Sequence, residues 1–164
     1  MTYIPQHFRV SDEPTLQEFM RTYDFATIVT GSADGLVASH VPVLVRPSGA
    51  TLVIVGHMAR ANHHWRLLDG ATPALVVFHG PHGYVSPTWY ETAPAVPTWN
   101  YGVVHAHGLP TVNEDEAFLR GVLADLRLEL SARQIAISFG YRLVFPAHPG
   151  KISSFPEKIK QSYL

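Results

Sequence analysis

The stretch Phe25–Val55, FATIVTGSADGLVASHVPVLVRPSGATLVIV, decides the predicted fold. It contains apolar, β-branched segments that are separated by two short turns rich in glycine, proline, serine and aspartate. Short connections join antiparallel neighbours, whereas parallel strands need a long crossover. The stretch therefore predicts an antiparallel meander with strands at Phe25–Thr30, Leu36–Val45 and Thr51–Val55.

Helices are predicted on both sides of this meander. On the N-terminal side, Ser11 is the predicted N-cap of a helix whose apolar residues recur at helical spacing: Leu16, Phe19, Met20 and Tyr23. On the C-terminal side, Asn113 is the predicted cap of a second helix, which has acidic residues in its first turn. The apolar stripe of that helix is Leu119, Val122, Leu123, Leu126 and Leu130.

Further strands are predicted at Ala74–Phe78, at Tyr84–Ser86, at Val103–Gly108 and, from the alternation that begins at Gln134, over residues 135–145. Some six to seven strands would close into a barrel, because closure removes exposed edges. The predicted fold class is mainly β with flanking helices. We predict a single domain over residues 1–164, with a tail from about 146 to 164 that is irregular or packed on a partner.

Composition narrows the class of protein. The chain has 164 residues, of which 46% are hydrophobic and 15% charged, and this suits one globular domain. Its formal net charge of −1 provides no general basic field for nucleic acid. There are no cysteines, which excludes disulfides and thiolate metal sites. The N-terminal residues lack an apolar run of signal-peptide length, so a cytoplasmic protein without membrane spans is predicted.

The segment Thr51–Trp65, TLVIVGHMARANHHW, is the first candidate site. Its apolar strand ends at Gly56, and the spacing of the apolar residues that follow predicts a helix over Arg60–Leu68. Free N–H groups and the helix dipole attract anions at such a junction, and the planar guanidinium of Arg60 suits a phosphate. The functional hypothesis is a phosphate site, and the structural alternative is a solvated arginine.

The segment Pro97–Tyr101, PTWNY, is the second candidate site. Its proline-rich approach predicts a stiff, presented loop. Tryptophan and tyrosine offer flat faces for stacking, while threonine and asparagine offer short hydrogen-bonding groups. Together with a phosphate site, this loop favours a ligand with an aromatic ring system and a phosphate, which is either flavin mononucleotide (FMN) or a free nucleotide. The alternative is a loop packed on its own domain.

The other motifs of the sequence give weaker indications of a functional site. His105 and His107 alternate in a predicted strand and would share one face, but the next carboxylate, Glu114, begins a helix, so ordinary polar histidines are preferred over a metal site. Ser39 and Ser86 do not lie in a Gly-x-Ser-x-Gly elbow. Dinucleotide-binding and Walker A glycine motifs are absent. The sequence therefore predicts no metal site and no defined catalytic residue.

Five motifs, in this order, resemble the FMN-binding negative transcriptional regulators of the PaiB type: YIPQHF, FATIVT…DGLVASHVPVLV, GHMARANHHW, VFHGPHGYVSPTWY and VPTWNYGVVHAHG. The resemblance extends from Thr2 to about Leu126. It implies a split β-barrel of the pyridoxamine-phosphate-oxidase-like kind that works as a homodimer with FMN at the subunit interface. The C-terminal part departs from the family pattern, because the closing family motif is reduced to Gly150–Ser154, where Lys151 is the matching lysine.

The resemblance also implies which residues contact FMN. Two residues lie on a strand that runs along the flavin: Ser39 and His40. The phosphate is held by residues of the GHMARAN motif: Gly56, His57, Arg60, Ala61 and Asn62. The isoalloxazine ring is reached, with the second subunit as one possible source, by residues of the PTWNY motif: Thr98, Trp99, Asn100 and Tyr101.

The first functional hypothesis is a regulator that represses transcription directly or through a partner, although the charge and the lack of a helix-turn-helix pattern argue weakly against direct DNA contact. One alternative is a flavin oxidoreductase of small molecules, for which His40 and His57 are the nearest acid–base candidates. Another alternative is a flavin- or haem-handling protein with His105 or His107 as an axial ligand.

Overall fold

The computed structural model describes residues 4–49, 51–91 and 94–136. In this part of the chain two helices flank five strands: α1 (Glu13–Thr22), β1 (Phe25–Ser32), β2 (Gly35–Ser48), β3 (Thr51–Gly56), β4 (Ala74–Val85), β5 (Thr98–Gly108) and α2 (Glu116–Ala136). Short 3₁₀ helices occur at Gln6–Phe8, His63–Leu67 and Pro87–Trp89. The predicted class, mainly β with flanking helices, is confirmed.

The strands form one sheet in the order β3-β2-β1-β4-β5. β1 pairs antiparallel with both β2 and β4, and β2 pairs antiparallel with β3. Ile28 lies opposite Ser39 across β1 and β2, and Val45 lies opposite Ile54 across β2 and β3. The predicted three-stranded meander is therefore confirmed.

Two strand predictions need correction. The separate strands predicted at Ala74–Phe78 and Tyr84–Ser86 are one strand, β4, because the fixed φ of the intervening Pro81 is compatible with extended backbone. The strand predicted from Gln134 is wrong at its start, since α2 continues to Ala136. The described chain thus has five strands and not six to seven. The rest of that predicted strand, the tail from 146 to 164 and Lys151 lie outside the described residues.

Aspartate caps set the helix boundaries. Asp12, not the predicted Ser11, caps α1: its carboxylate accepts hydrogen bonds from the Thr15 backbone N–H at 2.9 Å and from the Thr15 hydroxyl at 2.6 Å. At α2, Asp115 Oδ1 accepts from the Phe118 backbone N–H at 2.7 Å, so this helix begins later than the predicted cap at Asn113 implies. Serine, asparagine and aspartate are comparable caps, so residue type alone does not locate the start of either helix.

The chain falls into two compact units. The larger unit comprises Val10–Gly80 and Val103–Leu130, and the smaller unit includes Pro81–Gly102. The organisation of residues 1–164 as a single domain remains a prediction.

Two apolar clusters stabilise the larger unit. The first packs residues of α1, β1, β2 and β4: Met20, Ala26, Val41, Val43, Val45 and Phe78. The second packs Leu44 against Val122 and Leu126 of α2. Because neighbouring strand residues point to opposite faces, Leu44 lies on the reverse face from Val43 and β2 is covered on both sides. Arg46, on the same face as Leu44, forms an ion pair with Asp125 of α2.

Candidate functional site

Residues 57–62 connect β3 to the 3₁₀ helix as a loop and a turn. The helix predicted over Arg60–Leu68 is wrong: Arg60 lies in the turn, and helical structure is confined to His63–Leu67. The reason is Asn62, whose Oδ1 accepts a hydrogen bond from the His64 backbone N–H at 3.1 Å and so caps the helix after Arg60. With one short 3₁₀ segment, a helix dipole adds nothing at Arg60.

Three side chains anchor this loop to the sheet. Met58 packs against the first apolar cluster, Asn62 Nδ2 donates to Ser39 Oγ at 2.9 Å, and His64 is buried. The other residues of this segment are exposed: His57, Ala59, Arg60, Ala61 and His63. The loop therefore presents its basic side chains on a backbone that is pinned at both ends.

His64 is the centre of a buried polar network that sequence reasoning missed. Its side chain is only 2% exposed, with Nδ1 2.9 Å from Ser39 Oγ and Nε2 3.0 Å from Thr30 Oγ1. If the ring is neutral with its proton on Nε2, the series Asn62, Ser39, His64 and Thr30 is satisfied, because each group donates to the next. The hydrogen-bond pattern favours this tautomer.

Burial lowers the pKa of the His64 imidazole below its ordinary value of 6.5, because the charged form loses hydration inside the protein. The neutral ring, which satisfies the hydrogen-bond network, is therefore the form favoured at neutral pH.

The free energy of unfolding is expected to fall as the pH drops below about 6.5. In that pH range His64 is protonated in the unfolded state more often than in the folded state, because its pKa is lowered by folding. Acid therefore favours the unfolded state, which binds more protons. Urea titrations at pH 7.5 and 5.5 measure this loss. His64→Asn should reduce the acid sensitivity, while His63→Asn, at the exposed neighbour, is the matched control. Equal acid sensitivity in wild type and His64→Asn would contradict this prediction.

Arg60 is available to a ligand. Its side chain is 79% exposed, and its Nη2 lies 3.4 Å from Glu114 Oε2. Exposed ion pairs of this kind contribute little free energy, so a phosphate can replace the carboxylate. The main chain beside it is held, because Trp65 Nε1 donates to the Arg60 carbonyl at 3.1 Å.

Gly56 brings the start of the loop into close contact with β2. A Cβ at this position would lie 3.2 Å from Val43 Cγ1 and 3.3 Å from the Pro42 carbonyl oxygen. Because Val43 is buried and Pro42 contributes backbone, neither neighbour moves easily. The glycine keeps the backbone at the end of β3 free of side-chain atoms.

The structure places the predicted pair Ser39 and His40 on opposite faces of β2. Ser39 is buried and meets Asn62 and His64, whereas His40 is exposed and its Nδ1 lies 2.9 Å from Thr27 Oγ1. Their alternation follows from the two-residue period of a strand. Of the two, only Ser39 is brought to the GHMARAN loop.

Residues Thr98–Tyr101 of the PTWNY segment are the beginning of β5, so the prediction of a presented loop is wrong. Trp99 and Tyr101 are exposed, while Thr98 and Asn100 point to the opposite, half-buried face. The extended structure follows from β-forming residues at period two, with Pro97 placed just before the strand, where it removes no ladder hydrogen bond.

An aromatic group surrounds Trp99 within the smaller unit. Trp99 Nε1 donates to His82 Nδ1 at 3.2 Å, and the two rings are stacked with centroids 5.8 Å apart. The Tyr84 ring lies 6.3 Å from the Trp99 ring in a tilted arrangement. The group offers a partly exposed aromatic surface of the kind that stacks on planar ligands.

His105 and His107 lie on the same, more exposed face of β5, as predicted. The described residues contain no group of three or more histidine, cysteine, aspartate or glutamate side chains that could hold a metal ion. No helix in the described ranges has both the length and the apolar character needed to cross a membrane.

Comparison with known families decides the assignment. The family model described as "Putative FMN-binding domain" matches residues 2–140. This chain belongs to that FMN-binding family. FMN is the family's cofactor, which confirms the cofactor prediction, and the five-stranded sheet with two flanking helices agrees with the split-barrel class.

Relatives extend this assignment. "Protease synthase and sporulation protein PAI 2" of Bacillus subtilis is 35% identical over 114 residues, which cover 70% of this chain and 55% of the relative. An uncharacterised protein of Saccharomyces cerevisiae is 31% identical over 76% of this chain and 87% of its own length. An uncharacterised protein of Aspergillus fumigatus is 30% identical, with shares of 88% and 70%. The chain thus spans about half the length of the Bacillus protein, and its resemblance to the PaiB type is confirmed.

The larger unit of this FMN-binding family member fits the phosphate end of the cofactor. Gly56 packs closely on β2 at the start of the loop, and Arg60 supplies an exposed guanidinium on an anchored backbone. The assignment of individual residues to FMN, the homodimer and the cytoplasmic location remain predictions.

Proposed function

We propose that the loop of residues 57–62 binds the phosphate of FMN. The observation that carries the proposal is the exposed Arg60 on a backbone anchored by Met58, Asn62 and His64. A loop that is ordered before the ligand arrives loses little conformational entropy on binding. The anchored backbone therefore favours a high affinity for FMN, and it also sets the direction from which the guanidinium contacts the phosphate.

Each part of the loop has a distinct role in this proposal. Arg60 exchanges Glu114 for the phosphate and donates two parallel N–H bonds, a charge-assisted contact stronger than a neutral one. The small side chain of Ala61 leaves room beside Arg60 for the phosphate oxygens, and Gly56 lets the loop begin in close contact with β2. Asn62 keeps its hydrogen bonds to Ser39 and His64 and holds the loop. Bound FMN supplies a redox-active aromatic ring, which the chain itself lacks.

Riboflavin provides the sharpest test, because it has the FMN ring system without the phosphate. We expect apo-protein titrated with each flavin, followed by the quenching of flavin fluorescence, to bind FMN at least about tenfold more tightly than riboflavin. The FMN preference should decrease at high salt, since the contact is ionic and exposed. Equal affinities for the two flavins would contradict the phosphate assignment.

We infer further that the FMN-bound protein is a homodimeric, cytoplasmic regulator that represses transcription. Support comes from membership of the FMN-binding family and from similarity to a Bacillus protein named for protease synthesis and sporulation. The formal net charge of −1 favours action through a partner protein over direct contact with DNA.

The regulatory proposal is tested in two steps. Sedimentation of the flavin-loaded protein should give twice the mass of the 18.1 kDa chain. Deletion in the source organism should raise specific transcripts, and complementation with wild type, but not with Arg60→Ala, should return them to their original level. A monomer, or unchanged transcripts after deletion, would contradict the proposal. Flavin reduction by NADPH, or a haem Soret band, would favour the oxidoreductase or haem-handling alternative.

A further inference from the structure

We propose that His64 is a positioning residue for the FMN phosphate, because it fixes Ser39 and through Ser39 the loop that carries Arg60. This inference rests on the proposed phosphate site and adds a buried group that contacts no ligand. His64 links two neighbouring strands that are both distant from it in sequence: Thr30 is on β1 and Ser39 is on β2.

The first step is the placement of Ser39. Ile28 is the partner of Ser39 across the two strands, so Thr30, two residues further along β1, lies diagonal to it on the same face. The His64 ring spans this diagonal, with one nitrogen on each hydroxyl. The covalent attachment of the imidazole and its two in-plane hydrogen bonds together restrict the ring, which therefore holds the Ser39 hydroxyl in one orientation.

The second step leads from Ser39 to the loop. Ser39 Oγ accepts from Asn62 Nδ2, and Asn62 Oδ1 accepts from the His64 backbone N–H, so the three residues close a ring of hydrogen bonds. The Asn62 backbone N–H donates to the Ala59 carbonyl at 2.8 Å, which fixes the turn that contains Arg60. Rotation of Ser39 would therefore break the bond that ties Asn62, and with it the turn, to β2.

The third step concerns why the anchor is polar. An apolar side chain could fill the same space, but it would leave the buried hydroxyls of Thr30 and Ser39 without their imidazole partner. Apolar packing is also non-directional, whereas hydrogen bonds restrict angles as well as distances. The histidine thus contributes orientation in addition to the burial of surface.

Two substitutions separate orientation from packing. His64→Asn can place an amide near the Nδ1 position and retain a bond to Ser39, although it leaves a void near Thr30. His64→Leu fills more of the space and makes no hydrogen bond. If His64 positions the loop, we expect His64→Leu to raise the Kd for FMN roughly tenfold and His64→Asn by about threefold or less, with riboflavin affinity unchanged in both. If packing alone matters, His64→Leu will be the milder change.

A control and a ligand-independent measurement complete the experiment. Leu126→Ala, in the cluster between α2 and β2, lowers stability away from the loop and should leave the Kd for FMN within twofold. Amide hydrogen exchange over residues 57–65 should accelerate more in His64→Leu than in His64→Asn. Unchanged FMN affinity in His64→Leu, or an equal loss in Leu126→Ala, would overturn the positioning role. If wild type binds no FMN, the proposed function fails, and the order of the exchange rates still decides whether His64 positions the loop.

Discussion

Arg60→Ala is expected to weaken FMN binding by about 1.5–3 kcal/mol, which corresponds to a rise in Kd of roughly 10- to 150-fold. The guanidinium is exposed, and its present partner is a single glutamate at 3.4 Å. Its removal should therefore change the free energy of unfolding little, and the main effect should be on the free energy of FMN binding. Riboflavin affinity should be unchanged, because riboflavin has no phosphate to lose. Isothermal titration with both flavins measures the two effects together.

Arg120→Ala is the matched control for this substitution. Arg120 carries the same charge at nearly the same exposure, 77% against 79%, and it too pairs with a glutamate, Glu116. The control removes one positive charge from the same unit without touching the loop. An equal loss of FMN affinity in Arg120→Ala would mean that general electrostatics, and not contact with Arg60, sets the affinity. Retention of wild-type affinity within twofold in Arg60→Ala would reject the phosphate assignment.

The meander was predictable because its determinants are local. The strands at Phe25, Leu36 and Thr51 are runs of β-branched residues with short turns between them, and both the turn and the alternation are visible in a single window of sequence. Their pairing then follows without knowledge of the rest of the chain. The observed antiparallel registers of β1, β2 and β3 agree with the pairing expected from these local signals.

The structure beyond Gly56 was less predictable, since apolar spacing does not specify which helix type forms or where it begins. The spacing that predicts a helix over Arg60–Leu68 is compatible with a shorter one, and the boundary is set by a single side chain, Asn62. Asparagine is a known helix-capping residue, so this signal was present in the sequence. Use of Asn62 as the predicted cap would have moved the predicted helix start from Arg60 to His63.

His64 was beyond prediction from one sequence. Its partners Ser39 and Thr30 are 25 and 34 residues away along the chain, and nothing local distinguishes it from its exposed neighbour His63. At Trp99 and Tyr101 the signal was present but was outweighed by nearby prolines, although alternation with small polar residues is typical of a strand. Contacts between residues that are distant in sequence become visible only in the folded structure, whereas the periodicity of a strand can be read from the sequence itself.

Phe78→Ala is expected to lower the free energy of unfolding of the larger unit by about 3–5 kcal/mol. Phe78 lies on β4, is 0% exposed and packs in the cluster that contains Met20 and Val43. Its truncation removes contacts from several elements at once and leaves a cavity that their backbones cannot fill. Urea denaturation followed by far-ultraviolet circular dichroism measures the loss. Phe25→Ala, at a 64% exposed phenylalanine on β1, is the matched control and should cost less than about 1 kcal/mol.

Bound FMN should partly compensate for the stability that Phe78→Ala loses. A ligand that binds only the folded state stabilises it by about 2.7 kcal/mol when its free concentration is 100 times the Kd. FMN at 100 times the Kd measured for Phe78→Ala should therefore restore more than half of the lost stability, and riboflavin at the same concentration should restore less. Met58 of the loop packs against the same cluster as Phe78, so the variant's own Kd must be used. Equal stabilisation by FMN and riboflavin would show that the phosphate adds no affinity for the folded state, because the difference between the flavins lies only in that group.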